Sequence, residues 1–180
     1  MRVLGLDPGS RKTGFGVVER DGNRLRCVTH GTIAPAARLA LAARLHAIAT
    51  RVGTLIESTR PDTVVIEEAF YHESVRSTLV LGHVRGALLV AAVEHGVTIA
   101  EYSPREIKLS VTGSGAAAKE QVGFMVCRLL GLAGTIPADA SDALAAAVCH
   151  LNRARFSAPA RAASAAATRL EALLATRRTR

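Results

Sequence analysis

The sequence predicts an α/β fold in which helices cover a mixed five-stranded sheet. Three strand-like runs open the chain, and two shorter ones alternate with helical segments after residue 60. Strands joined by short turns are typical of antiparallel neighbours, whereas strands separated by helices are typical of parallel ones. A hydrophobic content of 49% over 180 residues is enough to bury one core.

The first half of the predicted sheet is a series of three strands. They are Arg2–Asp7, Thr13–Glu19 and Arg24–Ile33. Pro8-Gly9-Ser10 is a turn signal after the first strand, and Asp21-Gly22-Asn23 is a strong hairpin signal between the second and third. We therefore expect these strands to pair in an antiparallel manner.

The rest of the chain alternates between helices and strands. The predicted helices are Arg38–Thr59, Ser77–Glu94, Pro104–Val111, Ala117–Leu130 and Asp139–Arg153, and the predicted strands are Thr63–Glu67 and Thr98–Tyr102. Thr63–Glu67 is a β-branched run typical of a buried central strand. Ser77–Glu94 is apolar over most of its surface, with Gly82 and Gly86 on one face. Another helix could approach that face closely, so we hypothesise a homodimer.

Positive charge is concentrated at the end of the chain. The formal net charge is +8, and residues 152–180 contain seven arginines and one acid, Glu171. We predict one compact domain over 1–155 and a flexible, Ala/Arg-rich basic tail over 156–180. This balance favours a polyanionic partner, and the tail could add salt-sensitive affinity for DNA.

Several classes of protein are disfavoured by composition. The three cysteines are scattered and predict no disulfide framework or CxxC metal site. The opening residues resemble a strand rather than a signal peptide, and no apolar run approaches the roughly 20 residues that cross a bilayer. We therefore expect a cytoplasmic protein.

Four carboxylates stand at the ends of apolar elements. Asp7 ends the first strand and Glu67 the fourth, while Asp139 and Asp142 share one face at the start of the last helix. Singly, such residues are usually turn or cap residues. Glu68 follows Glu67 on the same strand and should face the other way, although an error of one residue, or an assisting role for Glu68, stays open.

If the four acids lie close together in the fold, a cation would be needed to offset the repulsion between their negative charges. Carboxylates held together repel one another, and oxygen ligands suit Mg²⁺ or Mn²⁺. Two such ions roughly 4 Å apart could activate a water and stabilise the leaving oxygen of a phosphodiester. The acids together with the basic surface predict phosphoryl chemistry on a nucleic acid.

At these residues the sequence resembles the RuvC family of Holliday-junction resolvases over about residues 1–155. Three blocks carry the resemblance: Gly5-Leu6-Asp7-Pro8-Gly9-Ser10 through Gly16, Val65-Ile66-Glu67-Glu68-Ala69-Phe70, and Asp139-Ala140-Ser141-Asp142-Ala143-Leu144-Ala145. The resemblance implies a ribonuclease H-like fold, a catalytic role for Asp7, Glu67, Asp139 and Asp142, and a homodimer that cuts a four-way DNA junction symmetrically. It also implies branch-migration motor proteins as partners. Some members of the family carry His at the third catalytic position, where this chain has Asp139.

The resemblance also suggests DNA contacts. Phe70 matches a base-stacking aromatic of the family, and the neighbouring Tyr71 either stacks on bases or packs beneath its loop. Lys108 and Lys119 match basic positions near the scissile phosphate, and Lys119 follows the Gly113–Gly115 turn near a helix start. Arg76 is a further candidate for the junction backbone.

Three alternatives stay open on the sequence alone. A kinase or ATPase of the actin-like group shares the strand-Asp-x-Gly-Ser opening, but such proteins generally need two domains. A smaller resolvase-like family in RNA processing shares only the first block. A noncatalytic junction-binding protein would leave the four acids unexplained.

Overall fold

The computed structural model of the chain describes residues 1–68 and 74–154. The strands are β1 (Arg2–Asp7), β2 (Thr13–Asp21), β3 (Arg24–Ile33), β4 (Thr63–Glu67) and β5 (Thr98–Tyr102), and the helices are α1 (Leu41–Thr59), α2 (Val75–Glu94), α3 (Pro104–Thr112), α4 (Lys119–Leu130) and α5 (Ala138–Ala154). The type and order of these elements agree with the prediction, and no boundary differs by more than three residues. The residues of the predicted basic tail lie outside the described ranges.

The five strands form one mixed sheet in the order β3-β2-β1-β4-β5. The β1–β2 and β2–β3 pairs are antiparallel, as predicted, and Gly22 closes the β2–β3 hairpin with a left-handed φ of 55°. The β1–β4 and β4–β5 pairs are parallel. Strands β1, β4 and β5 therefore end at a common edge, here called the carboxyl edge.

Helices cover both faces of the sheet. One core contains α1 and α2 with Leu4, Leu6 and Ile66, and the other contains α3, α4 and α5 with Val3 and Val65. Successive strand residues point to opposite faces, so this alternation assigns each position to one core. By the same alternation, Asp7 and Glu67 lie on the face of Val3 and Val65, which α5 covers.

Helix α5 lies unusually close to the sheet because glycines face it. A Cβ atom at Gly5 would meet the Ala143 carbonyl oxygen at 2.0 Å, and one at Gly14 would meet the Asp139 carbonyl oxygen at 1.9 Å. At Gly16 the nearest atoms belong to the Leu144 side chain. The glycines of β1 and β2 therefore leave room for α5, and we call this surface the seat of α5. Half of the ten buried residues of α5 are alanine.

Helix α2 is apolar but largely exposed. Only Val84, Leu88, Ala91 and Ala92 are buried in it. Among the described helices, α2 has the length and apolar composition of a membrane span, which corrects the expectation from sequence that no segment does. Helices in the cores of soluble proteins pass the same test, so this observation alone assigns no membrane role.

Candidate active site

The first two acids meet at the carboxyl edge because their strands are parallel neighbours. Leu6 pairs with Ile66, so Asp7 and Glu67 occupy the next position on each strand. Tyr102 pairs with Glu67 on the other side and ends β5. The side chains of this row share one face of the sheet. Asp7 and Glu67 are both partly buried there.

The other two acids reach the same edge from α5. The close approach of Asp139 to Gly14 places the first turn of α5 beside the end of β1, since Gly14 pairs with Asp7 across the β1–β2 ladder. Asp142 lies three residues further on, and the two acids share a helix face. The glycine seat thus brings together carboxylates that lie more than 130 residues apart in the sequence.

The electrostatics of Asp7 confirm that the four carboxylates interact. Burial raises the pKa of Asp7 to about 7, and the negative charges of Glu67, Asp142 and Asp139 contribute to the same increase, while Lys119 opposes it. A carboxyl group with such a pKa is half protonated near neutrality, so a cation that replaced its proton would be favoured.

The pKa of Glu67 is also shifted by burial and by the charges around it. Burial, followed by the charge of Asp142, raises the pKa of Glu67 to about 6, whereas Lys119 and Lys108 lower it. Both lysines singled out in the sequence therefore lie close enough to act on the acid cluster. Glu68 instead donates its backbone N–H to the Tyr102 carbonyl oxygen at 2.9 Å and follows the end of β4.

Lys119 makes the one direct ion pair of the site among the described residues. Its Nζ lies 2.9 Å from Oδ2 of Asp142, and this hydrogen bond is the main reason that the pKa of Lys119 is raised. Lys119 is the first residue of α4. Its ammonium group supplies positive charge to carboxylates that would otherwise repel one another.

The donor set fits a hard divalent cation. All four acids offer carboxylate oxygens, and within the described ranges the charges that act on Asp7 and Glu67 come from acids and lysines, with no cysteine or histidine among them. No three acidic, histidine or cysteine side chains of the described residues already stand close enough together to coordinate an ion. One carboxylate oxygen of Asp142 is engaged by Lys119.

Of the remaining predicted DNA contacts, two lie outside the described residues and one lies within them. Phe70 and Tyr71 lie outside the described residues. Arg76 lies in the first turn of α2, exposed, beside a cavity that also contains Arg11 and Arg44. Sequence reasoning missed these last two arginines, because only the packing of α1 and α2 at the carboxyl edge brings them near Arg76.

The chain matches a family model described as Crossover junction endodeoxyribonuclease RuvC over residues 3–150. A relative with that description from Bordetella avium (strain 197N) is 50% identical over 150 residues, which is 83% of each chain. One from Geobacter sulfurreducens is 48% identical over 154 residues, covering 86% of this chain and 94% of the relative.

Solved structures agree with the sequence relatives. Thermus thermophilus RuvC in complex with a Holliday junction substrate has a TM-score of 0.82 and 35% identity, covering 87% of this chain and 96% of that one. The yeast mitochondrial Holliday junction resolvase Ydc2, at 13% identity and a TM-score of 0.59 over 83% of this chain and 78% of that one, shares the fold. The predicted fold class and family resemblance are both confirmed: the chain belongs to the RuvC family of crossover junction endodeoxyribonucleases.

Proposed function

We propose that this protein resolves four-way (Holliday) DNA junctions by symmetrical, metal-dependent hydrolysis of phosphodiester bonds in homologous recombination and DNA repair. The observation that carries the proposal is the convergence of four carboxylates and two lysines at the carboxyl edge of a RuvC-family chain. A relative of the same fold has been solved with a Holliday junction substrate.

Membership of this nuclease family implies use of a divalent metal. Asp7, Glu67, Asp139 and Asp142 are the residues that would hold it, and we propose Mg²⁺ or Mn²⁺, with two ions in each active site. When bound, such ions activate a water molecule and stabilise charge on the phosphate and on the leaving oxygen. Binding of a cation would displace the proton that Asp7, with a pKa of about 7, still holds in part near neutrality.

The chain's own residues then position the substrate. With a cation held by the carboxylates, the ammonium group of Lys119 would be available to donate to a phosphate oxygen at the N-terminus of α4 instead of to Asp142. Lys108 acts on the same region from α3, since its charge is felt by Glu67. Both lysines would hold the scissile phosphate against the acid cluster.

Contacts to the junction itself would come from the segment after β4. We propose that Phe70 stacks on a base near the junction centre, with Tyr71 beside it, and that Arg76 binds the backbone. Arg76 is exposed at the start of α2, directly after that segment. In this arrangement β4 supplies a catalytic acid, and the chain that leaves it supplies the DNA contacts.

A homodimer would give two active sites for symmetrical cutting. One stripe of α2 contains Val75, Leu79, Val90 and Val93, which are 57–67% exposed. In the same stripe, no described atom outside the helix's own backbone lies within 4 Å of a Cβ built at Gly82 or Gly86. The spacing of four and three residues keeps these positions on one helix face. We propose that this stripe packs against its copy in a second chain.

Two further expectations belong to the same proposal. We propose that the protein acts in the cytoplasm, and that branch-migration motor proteins deliver its substrate. The basic segment 156–180 would add nonspecific affinity for DNA through its arginines.

A mobile four-way junction tests the proposal directly. The protein is incubated with labelled junction in Mg²⁺, in Mn²⁺ and in EDTA, beside a linear duplex of the same sequence. We expect paired, symmetrical nicks in the junction that require a divalent ion, and an intact duplex. Tight junction binding without cleavage in either ion, or a preference for structured RNA, would contradict it.

A further inference from the structure

A second basic site lies on the opposite side of the carboxyl edge from the catalytic acids. It is a cavity of about 540 Å³ between α1, the start of α2 and the β1–β2 loop, and we call it the arginine cavity. Its lining consists of Ser10, Arg11, Arg44, Arg76, Ser77, Val80 and Leu81. Three arginines and two serines therefore line one space, and no described lining residue carries a carboxylate.

The positive charge of the arginine cavity has no counterpart in the described residues. None of its three arginines forms an ion pair with a described carboxylate, whereas Arg2, Arg26, Arg85 and Arg153 all do. The Nε atom of Arg44 is buried and lacks a hydrogen-bond partner among the described residues. The Nε atoms of Arg2 and Arg85 are in the same situation although their terminal nitrogens form ion pairs, so it is the lack of a described carboxylate partner that distinguishes the arginines of this cavity.

The basic surface continues beyond the cavity. Arg11 and Arg44 also line an adjoining cavity of about 460 Å³ with Pro35, Ala37 and Leu39. Both linings therefore present arginine side chains as their charged groups among the described residues. These donors suit phosphate groups, because arginine presents a planar fork that matches phosphate oxygens.

The arginine cavity is close to the catalytic acids but on the other face of the sheet. Ser10 lies three residues after Asp7, a distance of at most about 11 Å along an extended chain. That is about three rises of 3.4 Å per nucleotide along one DNA strand. Lys108 and Lys119 supply positive charge on the α5 side of the edge, and the arginine cavity supplies it on the α1–α2 side.

From this geometry we infer that the arginine cavity binds phosphodiester groups of the junction DNA, within a few nucleotides of the bond that is cut. Arg11 and Arg44 are the residues that this inference adds to the DNA contacts. The inference rests on the proposed function, because it takes four-way junction DNA as the substrate. DNA that crosses the carboxyl edge would then contact the two lysines on one side of the acid cluster and the arginine cavity on the other.

The test compares junction binding by the Arg11→Gln/Arg44→Gln double variant with that of the matched control Arg51→Gln. Arg51 is exposed on the same helix as Arg44 and does not line the cavity. Binding of a four-way junction is measured in EDTA over a range of salt concentrations. For the double variant we expect a loss of affinity of about 10-fold or more and a salt slope shallower by about 1 to 2, since each phosphate contact contributes about 0.9. The control should match the unmodified protein.

A second variant separates a lost contact from a damaged fold. Arg11→Lys/Arg44→Lys keeps both charges, so it should recover most of the salt slope while losing part of the affinity. Unchanged affinity and slope in the glutamine variant would overturn the inference. So would arginine-dependent thermal stabilisation by inorganic phosphate without any effect on DNA binding, which would indicate a free-anion site.

The two proposals fail in different ways. Suppose that the unmodified protein cleaves junctions and that the glutamine variant binds junctions as tightly as the unmodified protein. Then only the inference that the arginine cavity binds DNA is wrong. If the unmodified protein neither binds nor cuts junctions with a divalent ion present, the proposed function falls, and the assignment falls with it.

Discussion

Helices α5 and α2 have similar compositions but opposite surroundings. Both are rich in alanine and other small or branched apolar residues. Ten residues of α5 are buried, and the helix contacts both sheet and neighbouring helices, whereas only four residues of α2 are buried. An apolar helix therefore becomes a core element in one case and an exposed surface in the other.

The position of glycine explains the difference. Beneath α5 the glycines belong to the sheet, at Gly5, Gly14 and Gly16, and the helix lies where their side chains would have been. In α2 the glycines belong to the helix itself, at Gly82 and Gly86, and no described atom outside the helix lies close to them. The first arrangement fixes the positions of Asp139 and Asp142, and the second leaves an apolar face exposed in the described part of the chain.

Among the substitutions that compare α5 with α2, the largest effect on cleavage should come from filling the space that the glycines leave beneath α5. In Gly14→Ala the new methyl group would meet backbone atoms of Asp139 at 1.9 and 2.4 Å, so the start of α5 must move. We expect cleavage to fall by about 100-fold or more, because catalytic groups are sensitive to displacements near 1 Å, and the fold to lose about 1–3 kcal/mol. Single-turnover cleavage and thermal unfolding measure both effects.

Gly82→Ala is the matched control for the unfolding measurement alone, since Gly82 lies in the proposed contact stripe of α2. No described atom outside the helix lies within 4 Å of its added methyl group, and alanine favours a helix over glycine by about 1 kcal/mol. The midpoint of thermal unfolding should stay the same or rise. If Gly14→Ala unfolded at the same midpoint as Gly82→Ala and cleaved junctions like the unmodified protein, the glycines beneath α5 would not determine the site.

A smaller effect concerns the acids that α5 brings to the edge. Because the pKa of Asp7 is raised to about 7, its protonated form stabilises the metal-free fold at low pH, and this contribution is lost as pH rises from about 4 through 7. A tenfold difference in proton affinity between the folded and unfolded chain is worth about 1.4 kcal/mol, so we expect a loss of roughly 2–4 kcal/mol by pH 8. Denaturant unfolding in EDTA at pH 5 and pH 8 measures it.

Asp7→Asn sharpens this prediction, since asparagine carries no titrating proton. The variant should lose less stability between pH 5 and pH 8 than the unmodified protein, and should gain less from added Mg²⁺ or Mn²⁺. Equal pH dependence in the two proteins would mean that burial and the neighbouring carboxylates do not raise the pKa of Asp7.

The smallest effect on the fold should come from the exposed stripe of α2. Leu79→Glu and Val90→Glu place charge on side chains that are 62% and 57% exposed, so the free energy of unfolding of a single chain should change by about 0.5 kcal/mol or less. Self-association in sedimentation velocity should be lost, and nicks on the two strands should no longer be paired. A dimer that survives both substitutions would place the contact elsewhere.

Much of this architecture can be predicted from the sequence because its signals are local. Strand alternation and helical spacing locate every described element, and Asp7 and Glu67 stand out by their positions at the ends of apolar strands. The pairing of Lys119 with Asp142 and the gathering of Arg11 and Arg44 beside α2 could not be predicted, since both depend on contacts between distant segments. Nor does periodicity say which face of α2 is covered, because that helix is apolar on most sides.

The adjacent residues Glu67 and Glu68 offer the most direct test of the central claim, that acids on the α5 face of the carboxyl edge perform the cleavage. Glu67 lies in the field of Asp142 and both lysines, whereas strand alternation directs Glu68 to the opposite face. The rate of junction cleavage in Mg²⁺ is compared for Glu67→Gln and Glu68→Gln. Loss of cleavage by about 1,000-fold or more in Glu67→Gln, with Glu68→Gln within about 10-fold of the unmodified protein, is the expected result. The reverse pattern, or equal activity in both variants, would contradict the proposed site.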